Sequence, residues 1–158
     1  ACSSTNEAVN QALIEGAVGG IVAADCKIGR SRYWAANATV PVNEISFRIV
    51  MTNVSSKPVT LSGDNFATTL DGTPIPPFNF SARDVGDADI WRTYDSLTIR
   101  PGEERSVALA YEISQPTYDS WYRSSRTVAV SFTCGNQRVT YTKNSRSDEI
   151  TVSDIETL

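Results

Sequence analysis

Between Glu44 and Asn53 the chain alternates strictly. Ile45, Phe47, Ile49 and Met51 fall on one side, and Glu44, Ser46, Arg48 and Thr52 on the other. A period of two is what a half-buried β-strand requires, since successive side chains leave opposite faces. The pattern returns in Val107, Leu109, Tyr111 and Ile113, and again in Val128, Val130, Phe132 and Cys134. Val139 and Tyr141 carry it into a closing hairpin after the turn pair Gly135-Asn136. Asp71-Gly72 marks a tight turn after Phe66 to Leu70, and Pro101-Gly102 another between Leu97-Thr98-Ile99 and the strand that starts near Ser106. The Pro-rich segment Thr73 to Phe78 and the Asp-rich segment Ser81 to Asp89 read as a longer central loop. Helical periodicity is nearly absent. Short strands separated by Gly and Pro turns predict an all-β, antiparallel sandwich.

The segment from Val9 to Cys26, VNQALIEGAVGGIVAADC, calls for its own reading. A helix there would have to absorb Gly16, Gly19 and Gly20, at about 1 kcal/mol each relative to Ala. Taken as a strand, Ile14, Gly16, Val18, Gly20, Val22, Ala24 and Cys26 share one apolar or small face. Such a strand is the sandwich's own first strand, with a bulge at the Gly pair, or a strand given to a neighbouring subunit by β-strand addition. The expected division is an N-terminal extension over residues 1–20, a candidate donor strand, followed by a sandwich over residues 21–158. In the donated case Ile14, Gly16, Val18, Gly20 and Val22 form the subunit contact.

Composition narrows the chemistry. A net charge of −4 over 158 residues, with basic residues scattered singly and lysine only at Lys27, Lys57 and Lys143, argues against nucleic acid and against a polybasic membrane patch. The longest apolar run, Ala17 to Ala24, is too short for a membrane span. Histidine is absent, which removes Ser-His-Asp and Cys-His nucleophile systems and most zinc and copper sites. The expectation is therefore a non-enzyme without cofactor. Asp84, Asp87 and Asp89, with Gly86 between, are the one calcium candidate, and their spacing is not that of an EF-hand. The opening Ala1-Cys2-Ser3-Ser4-Thr5 has the look of a processed, secreted chain.

Three cysteines in an oxidising compartment imply one bridge and one spare thiol. Cys26 with Cys134 is the favoured pair, against two free thiols or a pairing with Cys2. The fate of Cys2 itself stays open between lipid modification, an intermolecular disulfide and a free thiol. Asn37, Asn53 and Asn79 each open an Asn-X-Ser/Thr sequon and are candidate glycosylation sites. The aromatics Trp34, Trp91, Trp121, Tyr33, Tyr94, Tyr118 and Tyr122 divide between core packing and a carbohydrate-binding surface. The stretch Gln115 to Tyr122 stands out as an aromatic loop between strands.

Two stretches carry a resemblance. Ile45 to Leu61, ending Thr52-Asn53-Val54-Ser55-Ser56-Lys57-Pro58-Val59-Thr60-Leu61, resembles the first core hairpin of prokaryotic extracellular immunoglobulin-like domains. Leu97-Thr98-Ile99-Arg100-Pro101-Gly102-Glu103-Glu104 and the strand after it resemble the later half of that pattern. The likeness spans roughly residues 44–141 and is specific for fold rather than function. Such domains occur in surface filament subunits and envelope lipoproteins. The resemblance implies an extracellular or cell-surface structural protein: a pilus-like filament subunit polymerising by strand donation, or a secreted or lipid-anchored module holding a glycan or surface protein.

Overall fold

The computed structural model describes residues 16–75, 79–84 and 91–158, with the backbone alone at Asp84. The strands are β1 (Ile21–Tyr33), β2 (Val42–Asn53), β3 (Val59–Leu61), β4 (Phe66–Leu70), β5 (Thr73–Ile75), β6 (Asn79–Asp84), β7 (Arg92–Thr93), β8 (Leu97–Ile99), β9 (Glu104–Glu112), β10 (Thr127–Cys134), β11 (Gln137–Asn144), β12 (Ile150–Val152) and β13 (Glu156–Thr157). A 3-10 turn precedes β4, and among the described residues a short helix, α1 (Gln115–Asp119), follows β9.

One sheet runs in the order β1-β2-β9-β6-β7 and the other β12-β11-β10-β4-β5, with β13 also on β11 and a separate β3-β8 ribbon. Every pairing is antiparallel. The expected all-β sandwich is what the chain forms. Its core lies between the inward rows, Ile45, Phe47, Ile49 and Met51 of β2 against Val128, Val130 and Phe132 of β10. Phe47 bridges the two sheets, with its ring centroid 6.0 Å from Phe66 and 5.9 Å from Tyr141. Trp121 is fully buried and belongs to this core.

The turn signals hold. Asp71 and Gly72 both take positive φ, the mirror-image turn that suits a two-residue hairpin, and Leu70 pairs with Thr73 across it. Gly135, also at positive φ, turns β10 into β11. The central loop is only partly a loop, because residues 79–84 form β6 on β9. Phe80 and Ala82 are buried while Ser81 and Arg83 face outward. The alternation was there, hidden beneath an Asp-rich composition.

The first strand departs most from expectation. Residues 16–26 are not one strand. Gly19 and Gly20 take φ of 57° and 88°, and Val18 exchanges both backbone hydrogen bonds with Ile21, at 2.9 and 3.0 Å. That is a two-residue hairpin turn. It separates Gly16 and Val18 from Gly20 and Val22, so these do not share one strand face. Ala17 and Val18 are buried in this chain's own core, and the sandwich therefore begins before residue 21. Ile14 lies outside the described residues.

A β-bulge then interrupts β1. Ala24 pairs with Val50 but Lys27 with Arg48, and Asp25 takes a φ of 54°. The extra residue shifts the inward positions from odd to even: Ile21 and Ala23 point to the core before it, Cys26 and Ile28 after it.

Candidate functional site

The outer face of the five-stranded sheet is built from small side chains. Across its centre Gly29 pairs with Ser46, Ser46 with Ala110, and Ala110 with Asn79. One row along come Lys27, Arg48, Ala108 and Ser81, and beyond them Val50, Ser106 and Arg83. These are the outward positions of strands whose other face is core, so their polarity follows from the pleat. Trp91, just ahead of β7, stands over this floor. The guanidinium of Arg48 lies 5.4 Å from its ring centroid and that of Arg83 lies 5.1 Å away, both within cation–π range.

Trp91 divides the face into two concavities and lines both. The larger, about 450 Å³, is bounded by Lys27, Arg48, Arg83 and Ser106, with Asp25 and Cys26 at the bulge. The smaller, about 140 Å³, is lined by Ser46, Asn79, Ser81 and Glu44. Arg83 Nε is buried without a hydrogen-bond partner among the described residues. Burial raises the Glu44 carboxyl above the usual carboxylate range, and a hydrogen bond from Ser31 Oγ at 3.4 Å offsets part of that. Burial also pushes the Cys26 thiol up to about 12, which leaves it protonated and unreactive at neutral pH.

A second polar and aromatic cluster occupies one end of the sandwich. Arg30 and Arg32 lie 4.3 and 4.0 Å from the ring centroid of Tyr118 on α1, and Arg30 is 4.6 Å from that of Tyr122. Arg32 also pairs with Asp119 at 3.3 Å. Trp34, 62% exposed, and Tyr33 lie at the end of β1 beyond Arg32. A third concavity, about 440 Å³, opens along the sandwich edge between Val18 and Ala23 on one side and Tyr141, Val152 and Ile155 on the other.

Several expected site residues are reassigned. Cys26 and Cys134 are free thiols, not a bridge. Cys26 acts electrostatically on Tyr141, whose cross-strand partner is Val130. Cys134 lies four residues further along β10, about 13 Å at strand rise. A disulfide spans roughly 4.4–6.8 Å between Cα atoms, so the two do not meet. Cys134 instead lies against Gly19, whose carbonyl its Sγ approaches at 3.8 Å. Asn53 presents no accessible amide to a glycan. It is fully buried, with Nδ2 donating to the carbonyls of Lys57 and Ile99 at 2.8 Å each and Oδ1 accepting from Ser55 N and Oγ. Asn79 faces the outer sheet surface, half-buried, and accepts from Thr93 Oγ1. Asn37 is exposed, at a positive φ, and stays available for modification. Asp87, Asp89, the Asp84 side chain and Cys2 lie outside the described residues. Among the described residues no cluster of three acidic or cysteine side chains is suited to a metal, and no helix is long and apolar enough to cross a membrane.

No protein-family model matches the chain. No curated protein is significantly similar. Several solved structures align with the chain at low similarity. A β-sandwich protein of Clostridium difficile 630 aligns at 15% identity and a TM-score of 0.46, over 78% of this chain and 83% of that one. The yjhA protein of Bacillus subtilis aligns at 14% identity and 0.44, over 72% and 73%. A candidate lipoprotein of Bacillus subtilis, ycdA, aligns at 9% identity and 0.49, over 83% of this chain, which spans 38% of that one. Identities this low and TM-scores below 0.5 transfer no role to this chain.

Proposed function

We propose that this chain is a non-enzymatic, extracellular or cell-surface binding module, and that its recognition surface is the outer face of the five-stranded sheet. The observation that carries this reading is Trp91 standing on a floor of Gly, Ser and Ala side chains, flanked by Arg48 and Arg83. Small residues on an open sheet face leave room above the backbone, and an aromatic wall with charged neighbours suits a glycan or a surface protein. The test is binding of envelope polysaccharide and surface-protein fractions to the purified full chain. Trp91→Ala is expected to reduce binding at least tenfold while leaving the melting temperature within about 2 °C, as for other surface substitutions. Trp34→Ala is expected to leave binding intact. The opposite pattern would move the site to the Arg30, Arg32 and Tyr118 end.

Strand donation between copies is a second reading. It is favoured by the edge groove between Val18, Ala23, Tyr141 and Ile155, where a strand from a second copy would find apolar walls. It requires polymers of the full chain at high concentration, measured by light scattering.

A further inference from the structure

We propose that the ligand of this sheet face is an anionic carbohydrate, with an oxyanion held among Lys27, Arg48 and Arg83 and a neutral ring set against Trp91. This rests on the binding-module reading and deepens it. Lys27 and Arg48 are direct cross-strand partners on β1 and β2 and both face outward into the same concavity. Like charges directly opposite on antiparallel strands repel, at a cost of a few tenths to about 1 kcal/mol. Neither makes an ion pair among the described residues, and nor does Arg83. The Arg83 Nε–H is buried and finds no acceptor among the described residues. Among the described residues, three cations thus line a pocket against one carboxylate, Asp25, in a chain whose net charge is −4. With Lys27 and Arg48 exposed to water the repulsion is modest in the empty protein, and the cluster becomes favourable once an oxyanion bridges it, because charge-assisted hydrogen bonds to guanidinium are the strong ones.

Trp91 adds the second half. It lines both concavities, so its flank toward Ser46, Asn79 and Ser81 is open to a ligand that also reaches the cations. Hydroxyl and amide groups beside an aromatic wall match the alternating C–H and O–H faces of a sugar ring. Carboxylate and phosphate both supply the oxyanion, and the ligands tested separate them.

Calorimetric titration of the full chain at low salt would compare an oligouronate, glucose 6-phosphate, a neutral gluco-oligosaccharide and inorganic phosphate. At least one anionic sugar is expected to bind tenfold or more tightly than the neutral one, and to weaken as salt rises. Whichever anionic sugar binds tighter identifies carboxylate or phosphate as the source. Arg48→Gln and Arg83→Gln should each lose about tenfold. Lys27→Gln should weaken binding yet raise the melting temperature of the empty protein, since it removes the cross-strand repulsion. Equal binding of neutral and anionic sugars would overturn the anion assignment and leave the module reading standing. Inorganic phosphate binding as well as the sugar phosphate would overturn the carbohydrate half. Binding by none of the four would overturn the proposal outright. The module reading would then be judged separately, by whether Trp91→Ala still abolishes capture of envelope material.

Discussion

The Cys26 thiol faces the core from the second position of the bulge, and burial pushes it up to about 12, from an ordinary value of 9.0. Tyr141, on which Cys26 acts electrostatically, is pushed up to about 12 as well, by burial first and then by that interaction. Both groups keep their protons in the fold after the unfolded chain has released them. Above about pH 9 the native state therefore binds more protons than the unfolded one, and stability falls as pH rises toward 12. Urea midpoints measured from pH 7 to 11 should be flat at first and then decline from about pH 9. Cys26→Ala should make that decline shallower without abolishing it, because burial also raises the Cys134 thiol and the Tyr111 and Tyr141 phenols. A decline of unchanged steepness would mean the Cys26 thiol is more solvated than its contacts imply. At this scale the sequence was readable where one residue type has one habit, as in the buried row of β2. It misled where the same letters serve two ends. Asn53-Val54-Ser55 spells a sequon, yet Asn53 uses both donors and its acceptor to tie the end of β2 to β8 and to its own loop.

Strands with uninterrupted alternation were legible as elements, because one buried face fixes the phase of every residue. β1 was not, and the reason lies in two backbone events that periodicity cannot register. A turn at Gly19-Gly20 reverses the chain, and the bulge at Asp25 changes the parity of the inward face. A count of alternate residues through both merges three segments into one imaginary strand. The site on the outer sheet face was hidden for the same reason. The pairing of Lys27 with Arg48 depends on the bulge register, and that of Arg83 with Ser106 on β6 being a strand. The turn itself is testable. A Cβ on Gly19 would lie 2.6 Å from Cys134 Sγ and 2.7 Å from the Cys134 carbonyl oxygen, so backbone would have to yield. Gly72 has a similar positive φ and open space around it. Gly72→Ala should cost about 1 kcal/mol, the backbone penalty alone. Gly19→Ala should cost about 3 kcal/mol or more, since strain and overlap add. Equal losses in thermal melts of the two variants would mean that the packing of the turn on Cys134 is looser than the contact distances imply.

At the scale of the whole molecule, the question is which chain the segment before β1 serves. Ala17 and Val18 are buried, and Gly19 N donates to Gln137 Oε1 at 3.0 Å. The Gly20 carbonyl accepts from Val54 N at 2.9 Å. These contacts tie residues 17–20 to both sheets of their own sandwich, through β11 on one side and the end of β2 on the other. Removing residues 1–20 should therefore destabilise the monomer. The lost burial of Val18 alone is worth about 1.5–3 kcal/mol, and the two severed hydrogen bonds each add about 1 kcal/mol. For a chain of this size the melting temperature should drop by about 10 °C. Removing residues 1–15 instead leaves all of these contacts in place, and comparing the two truncations isolates the contribution of residues 16–20. A strand given to a neighbour behaves in the opposite way. Its own domain keeps its stability when the strand is cut, and a peptide of the same sequence raises the melting temperature of the truncated protein by mass action. Equal melting temperatures for the two truncations, with light scattering reporting polymers of the full chain that the shorter form cannot make, would transfer residues 16–20 to a neighbour's sheet edge. A drop confined to the longer truncation, in a full chain that stays monomeric, assigns them to this sandwich and ends the strand-donation reading.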